Sequence, residues 1–171
     1  MAPSDTSSGS DVPPGPHYTT LGIDMAGLRC LVVGGGRIGA RKAATLAAGG
    51  AEVTVLAPTI SENLPELVAA GRVRWQQAEY DAALLSGFVL VVAATADEAL
   101  NLRIAADAEG RGILSCNVSA AARSRVIFPA LCREEGITVA VHSHGRSCRR
   151  SKEMRDEIAA FLLDRKRKQP R

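Results

Sequence analysis

The stretch Leu31-Val32-Val33-Gly34-Gly35-Gly36-Arg37-Ile38-Gly39-Ala40-Arg41-Lys42 constrains the fold of this chain more than any other. A short apolar strand over 30–33 runs into a glycine turn, an alanine-rich helix follows over 38–48, and a second strand occupies 52–56. Gly34, Gly36 and Gly39 have the spacing of a turn that holds a dinucleotide. The first glycine permits the tight turn, the second lets backbone approach a pyrophosphate, and the third lets the helix sit close on the strand. The helix N-terminus adds free N–H groups and a partial positive charge for the phosphates. The plainer alternative is a tight strand–helix turn without a ligand.

The rest of the first two thirds repeats the alternation. A helix is expected over 61–70 with Ser61 as its cap, then a strand over 73–77 and a short helix over 81–85. Residues 88–95 form a continuous apolar run, as in a central strand buried on both faces. A helix over 97–109 and a fifth strand over 112–118 complete the pattern. Strands alternating with helices imply a parallel sheet with right-handed crossovers and helices on both faces. Ligands then sit beyond the carboxyl ends of the strands, at 34–39, 57–59, 94–96 and 117–120. At the end of the second strand an NAD site ordinarily carries Asp or Glu for the ribose hydroxyls. Here Ala57, Pro58 and Thr59 stand instead. No basic residue waits there for a 2′-phosphate either, so NAD is expected over NADP. Past Asn117 the pattern changes: short strands over 125–130 and 137–142 suggest an antiparallel extension, and a last helix spans 147–166.

Composition excludes several classes. The 171 residues suffice for one domain with a sizeable core, and aromatics make up only 4%, so that core must be Ala, Val, Leu and Ile. A net charge of +3 is too small to imply nucleic acid. No run approaches a membrane span, and the N-terminus has no signal-peptide pattern. Residues 1–16, rich in Ser, Pro and Gly, are expected to be disordered. Cys30, Cys116, Cys132 and Cys148 form no C-x-x-C pair and read as reduced thiols of a cytoplasmic protein. His17 reads as a surface residue, and the basic segment 149–171 as a solvated helix or an attractor of acidic partners.

The order of these motifs resembles one family. The glycine turn, Val53-Thr54-Val55-Leu56-Ala57-Pro58, Ala93-Ala94-Thr95, Cys116-Asn117-Val118, Phe128-Pro129 and Thr138-Val139-Ala140-Val141 are similar to the precorrin-2 dehydrogenase domain of siroheme synthases, over about 17–147. The resemblance implies a homodimer, with a Rossmann-like domain over 17–120 and a dimerisation segment with a terminal basic helix over 121–171. It implies NAD-dependent oxidation of precorrin-2 to sirohydrochlorin, followed in some members by insertion of ferrous iron. Gly34, Gly36, Arg37, Ile38, Gly39, Pro58, Thr59, Thr95 and Asn117 are then expected around NAD. Arg123, Arg125, Ser143 and Arg146 are expected toward the substrate carboxylates, ordinary surface charge being the alternative for each arginine.

Two departures from the family stand out. Members carry an aspartate just after the Asn-Val pair, but this chain reads Asn117-Val118-Ser119-Ala120, with no carboxylate. The later segment reads His142-Ser143-His144-Gly145-Arg146-Ser147-Cys148. Ser119, His142 and His144 are therefore the candidate catalytic groups, since histidines titrate near neutrality and positions two apart on a strand share a face. No metal site is expected in the leading reading. Two others stay open: a non-catalytic module binding dinucleotide or tetrapyrrole, and a metal chelatase or carrier using His142, His144 and Cys148. The family's helical bundle over the tetrapyrrole is expected to be largely absent, which argues against a closed cavity.

Overall fold

A computed structural model describes residues 16–61 and 64–168. The tail expected over 1–16 lies, apart from Pro16, outside the described residues. Five strands form one parallel sheet: β1 (Arg29–Val33), β2 (Glu52–Leu56), β3 (Val73–Gln76), β4 (Leu90–Ala93) and β5 (Leu114–Asn117), in the order β3-β2-β1-β4-β5. Their apolar runs explain the parallel arrangement. In β1, β2 and β4 every residue after the first of β1 and β2 is buried, because helices cover both faces.

Helix α1 (Arg37–Ala48) covers one face with Ala40, Ala43 and Leu46, joined by Leu64 of α2 (Leu64–Ala69). The other face takes α3 (Glu98–Glu109), whose Ile104 and Ala108 pack with Leu31, Val33, Val91 and Leu85. Asp97 caps α3, accepting from the N–H groups of Ala99 and Leu100 at 2.9 and 3.1 Å. The short helix at 82–85 is a 3₁₀ turn capped in the same way by Asp81. Strand order reverses between β1 and β4, so the sheet has its switch point at the glycine turn.

The last third corrects one expectation. Residues 125–129 are not a strand. The N–H groups of Arg125 and Val126 both turn to the Ser115 carbonyl, at 2.9 Å each, and Pro129 has no N–H to pair. The strand begins only at β6 (Ala130–Glu134), antiparallel to β7 (Ile137–Val141) in a separate two-stranded sheet. A two-residue turn joins them, with Glu135 at φ 50° and Gly136 at φ 80°, the left-handed pair that matches strand twist. Helix α4 (Cys148–Lys168) lies on this hairpin, with the Arg155 guanidinium donating to the Leu131 carbonyl at 3.2 Å.

Candidate functional site

The glycine turn forms the floor of a cleft of about 450 Å³ at the carboxyl ends of β1 to β4. Its walls are the segments following β2 (57–61), β3 (78–80) and β4 (94–96). The three motif glycines do the three expected things. Gly34 turns the chain at φ 118°, where a side chain would also overlap the Ala94 carbonyl. A side chain at Gly39 would collide with the Gly34 carbonyl, so the helix sits directly on the turn. At Gly36 a Cβ would meet nothing within 4 Å; packing does not demand glycine there, and the space is left for a ligand.

The cleft fits a dinucleotide on two further grounds. Helix α1 has no side-chain cap and no acidic residue in its first turn, so its N-terminal amides and positive dipole end are left to an anion. The Ser61 hydroxyl, on the cleft wall, is buried without a hydrogen-bond partner among the described residues, a group a bound polar ligand would satisfy. The wall is braced from outside. The Trp75 indole donates to the Ala57 carbonyl and the Gln77 amide to the Pro58 carbonyl, each at 3.0 Å.

Of the residues expected around NAD, Gly34, Gly36, Pro58 and Thr59 line the cleft together with Thr95. Arg37, Ile38 and Gly39 form the first turn of α1 beside it. Asn117 is set one strand further along, opposite Ala93, and does not line the cleft. Its Oδ1 accepts from the N–H groups of Ser119 and Ala120, while its Nδ2 is buried without a partner.

A residue absent from the sequence reading ties these parts together. Asn101 of α3 is fully buried and uses its whole amide. Its Oδ1 accepts from the Thr95 N–H at 3.0 Å and hydroxyl at 2.8 Å; its Nδ2 donates to the Thr95 carbonyl at 3.0 Å and the Ser119 hydroxyl at 2.8 Å. The available signal was position: Asn101, Ile104, Ala105 and Ala108 share the buried stripe of α3, and a polar residue on such a stripe needs partners. The sequence reading also passed over Lys42, whose ammonium lies 3.9 Å from the centre of the Phe128 ring. Burial lowers its pKa.

The candidate catalytic groups lie off the cleft. Ser119 accepts from Asn101. From there hydrogen bonds run through Asn117 to Ser124, whose hydroxyl takes the Asn117 N–H at 2.8 Å, and to Tyr18, whose hydroxyl donates to the Ser124 carbonyl at 2.9 Å. The Tyr18 N–H donates to His144 Nδ1 at 3.1 Å, and the His144 N–H to His142 Nδ1 at 3.3 Å. The two rings meet edge to face at 4.8 Å. Strand alternation is not the cause, because β7 ends at Val141 and His144 sits in a turn at φ 50°. His142 has both ring nitrogens engaged, Nε2 facing the Thr20 hydroxyl at 2.9 Å. Among the described residues no partner of His144 Nε2 is found, and the His144 pKa falls below the ordinary 6.5 through partial desolvation and the nearby His142, Arg146 and His17. His17, expected as a plain surface residue, has its ring 6.0 Å from that of His144.

The three-ligand metal idea is corrected. Among the described residues no three His, Cys, Asp or Glu side chains gather as a metal site, so Cys148, exposed at the start of α4, does not join the histidines. Ser143 is also occupied: its hydroxyl accepts from the Ser147 N–H at 2.8 Å and closes the first turn of α4. Arg125 pairs with Glu109, and Arg123 is exposed in the 3₁₀ turn Ala121–Arg123. Cys30 and Cys116 are buried thiols pushed up to about 11, hence protonated and unreactive.

Residues 21–130 match the family described as putative NAD(P)-binding. The chain belongs to that family. Proteins similar to it include the siroheme synthase of Chromobacterium violaceum, 45% identical over 117 residues, which are 68% of this chain and 25% of that protein. The siroheme synthase of Photorhabdus laumondii is 33% identical over 145 residues, 85% of this chain and 31% of that protein. The chain thus spans between a quarter and a third of these curated relatives. Among solved structures, the precorrin-2 dehydrogenase SirC superposes with a TM-score of 0.75 at 26% identity, covering 84% of this chain and 71% of SirC. The resemblance to the dehydrogenase domain of siroheme synthases, drawn from motif order, is borne out by these relatives, and so is the Rossmann-like sheet. No described helix is long and apolar enough to cross a membrane.

Proposed function

We propose that this NAD(P)-binding family member is a cytoplasmic precorrin-2 dehydrogenase that uses NAD to make sirohydrochlorin on the way to siroheme. The observation that carries the proposal is the cleft over Gly36, left open by packing, in a chain that superposes on SirC. Bound NAD would supply the hydride acceptor. The chain's own work is to hold the pyrophosphate on the α1 amides, to fix the 95–101 and 117–120 ends of the site through Asn101, and to take up a proton. Dehydrogenation releases one hydride and one proton, and the proton needs a base. His144 is the candidate, because its lowered pKa leaves it neutral at pH 7 and its Nε2 has no described partner. Arg123, Arg146 and Lys42 are the cations offered to the substrate carboxylates. Residues 121–171 are the dimerisation segment of this reading, since their apolar side chains Ile137, Phe161 and Leu163 are half or more exposed in the single chain.

The test is NADH formation from enzymatically generated precorrin-2 without added metal. Turnover that vanishes in Gly36→Asp, with melting temperature unchanged, is the expected result. Normal NAD binding without turnover would favour the second reading, a non-catalytic binding module, which the absence of a carboxylate after Asn117 supports.

A further inference from the structure

We propose that Glu79 sets the nucleotide specificity of the cleft, its carboxylate taking hydrogen bonds from the adenosine ribose hydroxyls of NAD and repelling the 2′-phosphate of NADP. The inference rests on the dinucleotide reading of the cleft. In that reading the pyrophosphate lies on Gly34–Gly39, and the adenosine half extends over the end of β2. There the usual acidic residue is missing: Ala57, Pro58 and Thr59 carry no charge.

The sheet brings a carboxylate to the same place from the next strand. β3 is the neighbour of β2, with Leu56 in register with Gln76. The two chain exits stay together past the strand ends. The Ala57 N–H donates to the Gln76 carbonyl at 3.2 Å, and the Gln77 amide to the Pro58 carbonyl at 3.0 Å. Glu79 follows two residues later and lines the cleft with Pro58 and Thr59. Tyr80, next in line, is anchored by its hydroxyl on the Asp107 carboxylate at 2.9 Å, which holds this wall in place. Among the described residues, Glu79 is the one charged residue that lines the cleft. Its carboxylate has no hydrogen bond or ion pair among the described residues, so it is not committed to the fold.

Two cations brace this wall from outside the cleft. Arg103 lies over the Tyr80 ring at 5.6 Å, and Arg111 donates to the Asp107 carbonyl at 2.9 Å. Neither lines the cleft. A carboxylate accepts from two vicinal hydroxyls and opposes a phosphate at the same spot, so one group supplies both the attraction and the rejection.

Calorimetric titration of the full chain with NAD and with NADP tests this. The wild type is expected to bind NAD at least about tenfold more tightly. Glu79→Gln is expected to bring the two affinities within about threefold, chiefly by tightening NADP, and Glu79→Arg to reverse the order. Glu79→Asp should keep the preference. Because Glu79 is exposed and unpaired, all three variants should melt with the wild type. A preference unchanged in both Glu79→Gln and Glu79→Arg overturns the proposal while NAD binding itself survives. A wild type that prefers NADP also overturns it. Binding of neither nucleotide by the wild type overturns the dinucleotide reading as well, so the two failures are distinguishable.

Discussion

The five-stranded sheet and the hairpin–helix extension end in opposite states. In the sheet, β4 is buried throughout and β1 and β2 nearly so. In the extension no residue of β6 or β7 is buried, and α4 buries only Ser151. Phe161 and Ile137 are each 66% exposed. Two strands and one helix cannot enclose apolar side chains from both sides, whereas a sheet between helix layers can. The contrast separates a region whose apolar residues are buried within the chain from one whose apolar residues stay exposed in it, and it can be tested by its two ends.

The largest difference should come from matched truncations. Ile104→Ala, at a fully buried position, is expected to cost about 3 kcal/mol in urea unfolding, and Phe161→Ala less than about 0.5 kcal/mol in the dissociated chain. Equal losses would mean that the extension is core. Next, Asn101→Leu should cost about 1–3 kcal/mol, because it removes the partner of the half-buried Thr95 N–H and leaves the Ser119 hydroxyl without its donor. Calorimetry should show weaker NAD binding in the same variant, which a merely structural loss elsewhere in α3 would not produce. Third, the proposed dimerisation role of residues 121–171 predicts that Phe161→Ser combined with Leu163→Ser shifts sedimentation toward the monomer and leaves NAD affinity unchanged; unaltered sedimentation would remove α4 from that role.

A smaller effect concerns pH at the junction of the two halves. The folded chain holds a proton on His144 less tightly than the unfolded chain, since its pKa lies below 6.5. The stabilisation is therefore complete above that value and drains away as pH falls through 6.5 toward the folded pKa. Protonating Nδ1 also removes the acceptor of the Tyr18 N–H. Hydrogen exchange at Tyr18, corrected for the intrinsic rate, should speed up on acidification, with Arg146, His142 and His17 adding their positive fields. His144→Asn should flatten that dependence. The smallest effect belongs to the hairpin. Glu135→Asn, at φ 50°, should stabilise by about 0.5 kcal/mol in thermal melts, because Asn tolerates the left-handed region better than Glu.

The cleft floor was legible because glycine spacing encodes backbone geometry directly. Gly34 and Gly39 each have a steric reason that depends only on residues close in sequence or on one neighbouring strand, while Gly36 is left clear by packing. The walls were less legible. Asn101 had to be recognised as polar on a buried stripe, and Glu79 lines the cleft only because β3 pairs with β2. The strand expected at 125–130 misled because Val126, Ile127 and Phe128 are good strand formers in sequence. Tertiary contact decided otherwise: Val126 and Phe128 pack on the α1 face of the sheet, and the Arg125 and Val126 amides go to Ser115. Glu135-Gly136 lacks the usual Asn-Gly signal, so the hairpin turn was invisible too.

By itself the sequence determined the alternation of strands and helices, the glycine turn and the uncharged end of β2, all set by local sterics and hydrophobic period. Only the tertiary structure decided which side chains meet. It brought Glu79 to the cleft wall beside Pro58 and Thr59, joined Thr95 to Ser119 through Asn101, and kept Cys148 away from His142 and His144. Those pairings depend on strand order and on helices crossing a sheet, and contacts made across such distances leave no period in the chain for a reader to find.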